Sequence, residues 1–122
     1  MLPHGRLVMH EVGIMQSALE IAEQQALAAG AKSIHEIRLR IGQMTGVVPE
    51  ALEHAFAILK DGTMAEDACL VVDYVPAVCW CPDCQREFES SGLFCVCPDC
   101  MTPSGDVRRG RELEIISLEV DE

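Results

Sequence analysis

Two matched cysteine turns constrain the fold of this chain more than any other feature. Cys81-Pro82-Asp83-Cys84 is followed, after residues 85 to 96, by Cys97-Pro98-Asp99-Cys100. A Cys-x-x-Cys turn brings two sulfurs to one ion at about 2.3 Å, and two facing turns complete a tetrahedron of thiolates. Four protein ligands leave no open position for water or substrate, so the pattern predicts a structural zinc site rather than a catalytic one.

The segment between the two turns supports this prediction. Residues 85 to 96 carry few large apolar side chains, too few to form a core by themselves. A bound metal is therefore expected to supply much of the folding free energy of this part of the chain. The predicted ligands are Cys81, Cys84, Cys97 and Cys100.

Other uses of these cysteines stay open at this point. Spacing does not distinguish zinc from iron, and iron in the same cage would make a rubredoxin-like redox carrier. A disulfide framework would need an oxidising compartment and would leave an odd thiol among seven cysteines. Cys79 and Cys95 each stand two residues before a ligand, and we interpret them as spare thiols that could replace Cys81 or Cys97. Cys69 is interpreted as a strand residue.

Length and charge narrow the class of protein. A chain of 122 residues suits a small domain with a metal-stapled appendage. A net charge of -11 argues against a nucleic-acid partner, so a nucleic-acid-binding zinc ribbon is kept only as an alternative. No apolar run reaches transmembrane length, and residues 1 to 8 lack the features of an export signal. We therefore expect a cytoplasmic protein with reduced thiols and no membrane partner.

The first half of the chain predicts a helix and a strand. Apolar residues recur at helical spacing from Glu11 to Ala29, and Gly30 is expected to end this helix. The predicted buried residues of the helix are Met15, Ala18, Leu19, Ala22 and Ala26. From His35 to Ile41 the pattern changes to period two, which is typical of a half-buried strand, and His35 is expected to be a packed strand residue.

A second helix and two more strands follow. Pro49 suits the first turn of the helix and Asp61-Gly62 its end, with Leu52, Ala55, Phe56 and Leu59 as the buried stripe. His54 is expected on its solvated face. Residues 70 to 75 and 112 to 120 are predicted strands. A change of phase at Ile115-Ile116 predicts a β-bulge there.

This order of elements predicts an α+β fold in which two helices lie on a three-stranded sheet, with a zinc-ribbon domain inserted between neighbouring strands. The predicted domains are a discontinuous α+β domain, residues 9–76 plus 110–122, and a zinc ribbon, residues 77–109. Residues 1–8 are interpreted as an N-terminal extension. The sequence shows neither a nucleophile with a paired base nor a phosphate-binding glycine loop, so a binding protein is expected rather than an enzyme.

Seven short motifs occur together and in a fixed order. They are Met9-His10-Glu11, Ile41-Gly42, Val47-x-Pro49-Glu50-Ala51-Leu52, Gly62-Thr63, Cys79-Trp80-Cys81-x-x-Cys84-Gln85, Cys97-Pro98-x-Cys100 and Gly110-Arg111-Glu112-Leu113. On these motifs, from Met9 nearly to the end, the chain resembles the HypA/HybF family of nickel metallochaperones for hydrogenase maturation. The resemblance implies a nickel-binding domain, a structural zinc, a GTPase partner of the HypB type and delivery to the apo-hydrogenase large subunit. It leaves a homodimer open.

The resemblance also implies a nickel site at Met9, His10 and Glu11. A free α-amine, the next backbone nitrogen and an imidazole can chelate Ni(II), and Glu11 would add a carboxylate oxygen or orient the imidazole. Met9 is not the first residue of this sequence, so we expect the functional polypeptide to begin there. Val48 departs from the family pattern, because family members often carry an acidic residue at this place.

Overall fold

The first helix, α1, spans Pro3–Ala28 in the computed structural model, which describes residues 3–90 and 94–121 and, within them, side chains from residue 10 onward. It begins before the predicted start at Glu11, and Pro3 fits because the first turn needs no N–H from it. Its buried apolar residues are those that the spacing predicted. Gly30, at φ 74°, lies just beyond its end, where the Ala31 N–H donates to the carbonyl of Ala26 at 2.9 Å.

The other elements follow in chain order. They are β1 Ser33–Gly42, a 3₁₀ turn at Gln43–Thr45, α2 Pro49–Leu59, β2 Cys69–Val75, β3 Val78–Cys81, β4 Arg86–Glu89, β5 Val107–Arg109 and β6 Leu113–Asp121. No helix in the described part of the chain is both long and apolar enough to cross a membrane.

Strand β1 is the centre of the larger sheet, whose order is β2-β1-β6. The expectation that the metal segment lies between neighbouring strands was wrong, because β2 and β6 are separated by β1. This central place agrees with the burial of its side chains at Ile34, Ile37, Leu39 and Ile41. In the centre of the sheet, the backbone N–H and C=O groups of β1 have a partner strand on each side.

One side chain of β1 departs from the predicted alternation. His35 is exposed, and its Nε2 lies 3.9 Å from Oδ2 of Asp121, so the prediction of a packed strand histidine was wrong. Ile34 is buried instead. An apolar side chain gains from burial, whereas a buried imidazole needs hydrogen-bond partners.

Helix α2 is fixed to α1 by two carboxylates. Oε2 of Glu11 accepts a hydrogen bond of 2.8 Å from the N–H of Val48, immediately before α2. Oε2 of Glu23 accepts one of 2.9 Å from the N–H of Met64, in the loop after α2. Val48 is the N-cap of α2 and offers no side-chain cap, so the charge of Glu11 stabilises the positive end of the helix dipole from outside. The two helices consequently run in the same direction.

The burial of α2 follows the predicted stripe. Leu52, Ala55 and Phe56 are buried, while Leu59 is half-buried and His54 is exposed, as expected for a solvated face. On β6, Ile115 and Ile116 are both half-buried, which agrees with the change of phase at this point. The bulge itself stays a prediction.

A second sheet, of order β4-β3-β5, was not predicted. Its strands are short, and β3 pairs antiparallel with both neighbours. Contacts group the chain into two units, one of residues 1–39, 48–72 and 115–122, the other of residues 40–47 and 73–114. The second unit contains this sheet. The predicted division into residues 9–76 plus 110–122 and residues 77–109 stays a prediction.

Three segments of the second unit meet backbone to backbone at two glycines. The Gly42 N–H donates to the carbonyl of Glu112, and the Met44 N–H donates to that of Gly110, each at 2.7 Å. A Cβ on Gly42 would overlap the Gly110 carbonyl group, and a Cβ on Gly110, at φ 114°, would lie 2.7 Å from the Cα of Ala77. These contacts explain why glycine stands at both positions, which belong to two separate motifs of the sequence.

We predict that Gly42→Ala lowers the free energy of unfolding by about 3 kcal/mol, because the new methyl group must displace backbone rather than a flexible side chain. Gly13→Ala is the matched control. Gly13 is exposed in α1 with no atom within 4 Å of the added position, so alanine should stabilise the helix by about 1 kcal/mol. Urea denaturation of both variants at equal metal content measures the difference. Similar effects of the two substitutions would contradict the close approach.

Candidate metal centre

The four predicted cysteines converge on one point. The sulfurs of Cys81, Cys84, Cys97 and Cys100 all lie within 4.8 Å of one another. Two of the distances are 3.5 Å, between Cys81 and Cys100, and 3.8 Å, between Cys84 and Cys97. Tetrahedral thiolates at about 2.3 Å from an ion stand roughly 3.8 Å apart. The group therefore has the size and the donor atoms of a four-coordinate metal site.

The two cysteine turns are built alike. The Gln85 N–H donates to the carbonyl of Cys81 at 2.8 Å, and the Met101 N–H donates to that of Cys97 at 2.9 Å. Gln85 and Met101 both adopt left-handed backbone conformations, at φ 57° and 61°, which cost about 1 kcal/mol each for a residue other than glycine. The repetition of a costly conformation at equivalent places indicates that the geometry of the turns requires it.

Each turn is also held by a residue that follows the other turn. Thr102 Oγ1 donates to Oδ2 of Asp83 at 3.0 Å, and the Arg86 guanidinium forms an ion pair with Asp99. Both pairs are exposed, so each contributes modestly to stability, but together they set the two turns face to face. The sequence predicted no role for these aspartates, although each occupies the same place within its own Cys-Pro-Asp-Cys turn.

Strand β3 provides the apolar surface behind the sulfurs. Buried residues form one cluster around it, namely Cys79, Cys81, Phe88, Cys95 and Cys97, with Met44, Cys84 and Val107 packed partly against it. Alternate residues of a strand face opposite sides, so Cys79 shares the side of Cys81. Trp80 faces away, with the Arg108 guanidinium 4.7 Å from the centre of its ring.

Cys79 and Cys95 are joined to each other by a disulfide, with their Cα atoms 6.1 Å apart. The interpretation of these residues as spare thiols, able to replace Cys81 or Cys97, was therefore wrong. Because each lies two residues before a ligand, both point to the side of the metal group and meet each other there. Cys69 is an exposed, free cysteine at the start of β2, which confirms its placement in a strand.

The pKa values of the four cysteines shift in two directions, up for Cys81 and Cys84 and down for Cys97 and Cys100. A hydrogen bond with Cys100 is the main cause that raises the pKa of Cys84 to about 12. At Cys81 the N–H of Cys84 acts in the opposite direction, but burial and the thiols of Cys100 and Cys97 outweigh it and raise the pKa. The N–H of Cys100 lowers the pKa of Cys97, and a hydrogen bond with Thr102 lowers that of Cys100.

The implied nickel site lies near the start of the chain, where the structure describes side chains from residue 10 onward. His10 is exposed on α1, whereas Glu11 is only 3% exposed and its carboxylate is bound to the N–H of Val48. The side chain of Met9 lies outside the described residues. Glu11 is thus an anchor for the start of α2, a role that the sequence did not suggest. The nickel ligand set stays a prediction.

Two helices with a three-stranded sheet, together with a four-cysteine group on paired turns, define an α+β protein that carries a zinc-ribbon type of metal module. A family model described as "Hydrogenase/urease nickel incorporation, metallochaperone, hypA" matches residues 9–120. The chain belongs to this HypA family of metallochaperones. The resemblance noted from the seven motifs is confirmed.

Relatives and solved structures agree with this assignment. A hydrogenase maturation factor HypA from Picosynechococcus is 44% identical over 112 residues, which cover 92% of this chain and 99% of that protein. One from Chloroflexus aurantiacus is 42% identical over 113 residues, covering 91% and 98%. The solution structure of the Ni metallochaperone HypA from Helicobacter pylori has a TM-score of 0.63 at 23% identity, covering 91% of this chain and 97% of that one. Another HypA solution structure has a TM-score of 0.62 at 26% identity, covering 92% and 96%. The predicted fold class is confirmed.

We predict that the affinity of the four-cysteine group for a divalent metal falls as the pH falls. All four sulfurs must be thiolates to bind, and the raised pKa values of Cys81 and Cys84 mean that these thiols hold protons at neutral pH. Displacing the protons of these two thiols alone should weaken binding by at least about a hundredfold per pH unit. Competition with a chromophoric chelator between about pH 6 and pH 8 measures this dependence. A constant affinity, after correction for protonation of the chelator, would show that the thiols carry no such protons.

Proposed function

We propose that this protein is a nickel metallochaperone, which binds Ni(II) as cargo and helps deliver it to an apo-[NiFe]-hydrogenase during maturation. The observation that carries the proposal is the pair His10 and Glu11, an exposed imidazole beside an anchored carboxylate. The pair stands at the start of the match to the HypA family, at residue 9.

The surroundings of His10 suit a cargo site. Imidazole nitrogen is a good ligand for nickel, and an exposed ligand can be reached both by an incoming ion and by a recipient protein. A structural metal, in contrast, is enclosed by its ligands. Glu11 holds the adjoining backbone against the start of α2, which orients the segment that presents His10. Met9 completes the proposed donor set, and its nitrogen binds nickel as a free amine in a polypeptide that begins at this residue.

We further propose that the four-cysteine group holds zinc as a structural cofactor, and that nickel binds elsewhere. Cys81, Cys84, Cys97 and Cys100 would each supply one thiolate, which fills a tetrahedral site. The bound ion supplies folding free energy to the paired turns. The residues of the chain do the rest, since Asp83 and Asp99 hold the turns face to face.

The proposed partners follow from the family and from what this sequence lacks. A HypB-type GTPase would provide nucleotide hydrolysis, because this chain has no phosphate-binding glycine loop. The apo-hydrogenase large subunit is the proposed recipient. The family description names urease as well, and hydrogenase is favoured because the relatives are called hydrogenase maturation factors. The proposed site of action is the cytoplasm, and the proposed role is binding and transfer rather than catalysis.

The nickel proposal predicts that His10→Ala weakens Ni(II) binding at least about a hundredfold, because it removes the imidazole from a chelate. His54→Ala is the matched control, since it removes another exposed histidine, from the other helix, and should leave the affinity unchanged. Calorimetric titration of zinc-loaded protein measures both. Unchanged nickel binding by His10→Ala would refute the site.

The same titration tests the role of the Met9 nitrogen. A polypeptide of residues 9–122 should bind nickel more tightly than one of residues 1–122, since an amide nitrogen is a much weaker ligand than an amine. Acetylation of the terminal amine should remove the difference. Equal affinity of the two polypeptides would mean that nickel is held by side chains alone.

The zinc proposal predicts that Cys97→Ser loses the one zinc bound per chain and exposes residues 81–100 to hydrogen exchange, while the α+β unit stays folded. Cys69→Ser, which changes an exposed cysteine outside the group, should keep both the zinc and the protection. Elemental analysis also separates zinc from iron, and an iron site would be coloured. Full zinc content in Cys97→Ser would contradict the ligand assignment.

A further inference from the structure

Two of the buried cysteines have no part in the proposed metal chemistry. Cys79 on β3 and Cys95 before the second turn are bonded to each other, and their Cα separation of 6.1 Å lies in the usual range for a disulfide. They are separate from the four ligands. Among the described residues, the only group of three or more side chains placed to hold a metal ion is formed by the other four cysteines.

We propose that Cys79 and Cys95 form a reversible dithiol–disulfide site, which reacts with low-molecular-weight disulfides of the glutathione type and sets how tightly the neighbouring turns hold their metal. Two sulfurs are too few to hold a metal ion without further ligands. They are sufficient for a two-electron exchange between a dithiol and a disulfide.

The position of the pair connects it to the metal turns. Cys79 and Cys81 share one side of β3, and Cys95 stands in the same relation to Cys97. The Cys97 N–H donates to the carbonyl of Thr102 at 3.0 Å, and the Ser104 N–H donates to that of Cys95 at 2.8 Å, so Cys95 is built into the second turn. A bond between Cys79 and Cys95 therefore ties the bases of both turns together.

This disulfide should change metal affinity through the conformational entropy of the metal-free chain. Without metal, the reduced segment must bring two separate turns together before four sulfurs can meet. A disulfide that closes a loop of about 15 residues restricts the metal-free chain enough to favour the closed arrangement by roughly a hundredfold. The oxidised protein is thus expected to bind zinc more tightly than the reduced one. This part of the inference rests on the proposed zinc site, whereas the exchange itself does not.

The exchange proceeds in two balanced steps. The thiolate of Cys95 attacks one sulfur of the small disulfide, which forms a mixed disulfide and releases one small thiol after it takes up a proton. The thiol of Cys79 then loses its proton and attacks the Cys95 sulfur, which forms the protein disulfide and releases the second small thiol. Two electrons pass from the protein sulfurs to the small disulfide, and two small thiols reverse the reaction. Cys95 reacts first because it keeps 7% exposure, whereas Cys79 has none.

The first experiment tests the exchange in the full chain. Zinc-loaded protein is equilibrated with oxidised and reduced glutathione at several ratios, alkylated, digested and analysed by mass spectrometry. The expected result is a peptide pair linked through Cys79 and Cys95 whose amount follows the ratio, while the other five cysteines are alkylated after metal removal. No such pair at any ratio, or disulfides that involve the four ligands instead, would overturn the site.

The second experiment measures zinc affinity by chelator competition in the oxidised and reduced protein. Tightening of up to about a hundredfold on oxidation is expected, and a double variant, Cys79→Ala with Cys95→Ala, should not respond to the glutathione ratio. Cys69→Ser should respond as the unchanged protein does.

Equal zinc affinity in both redox states would overturn the control of metal binding. Two zinc ions per reduced chain would overturn the whole proposal in favour of a binuclear cluster. Failure of zinc to bind in either state, with the disulfide still formed, would refute the proposed zinc site and with it the control of metal binding, but not the exchange.

Discussion

Four sulfur atoms within 4.8 Å of one another are the constraint on which the second unit depends. As thiolates they repel one another. A bound cation reverses this effect, because it attracts all four charges. The short strands, the left-handed residues at Gln85 and Met101 and the aspartate contacts between the turns each contribute little alone. They gain their effect by holding the ligands where an ion can bind all of them.

Periodicity predicted the larger elements because burial decides them. The apolar faces of α1 and α2 and the core of β1 follow directly from residue spacing, and the structure has them. Strand order could not be read in the same way, since it depends on which strand finds partners on both sides. The strands β3, β4 and β5 are too short for a pattern of alternation to stand out. His35 was misplaced because the period was assumed to be unbroken through the start of β1.

At the candidate metal site too, local features could be predicted and contacts between distant residues could not. Spacing alone brought Cys81, Cys84, Cys97 and Cys100 together, since a Cys-x-x-Cys turn is a local geometry that few residues determine. Contacts between distant residues were not predictable from one sequence. The bond between Cys79 and Cys95 depends on how two segments face each other, and the bond from Glu11 to the Val48 N–H depends on how two helices pack. Only a three-dimensional structure specifies such pairings.

The two carboxylates that join α1 to α2 also constrain the length of α2. Glu11 and Glu23 lie about 18 Å apart along α1 at 1.5 Å per residue, and α2, with 11 residues, is about 16 Å long. An insertion or deletion within α2 would move the N–H of Val48 or that of Met64 away from the carboxylate that accepts from it, and would turn the buried stripe by about 100° per residue. Evolution of this unit can therefore change the residues of α2 freely on its outer face, but differences in chain length should collect in the loops.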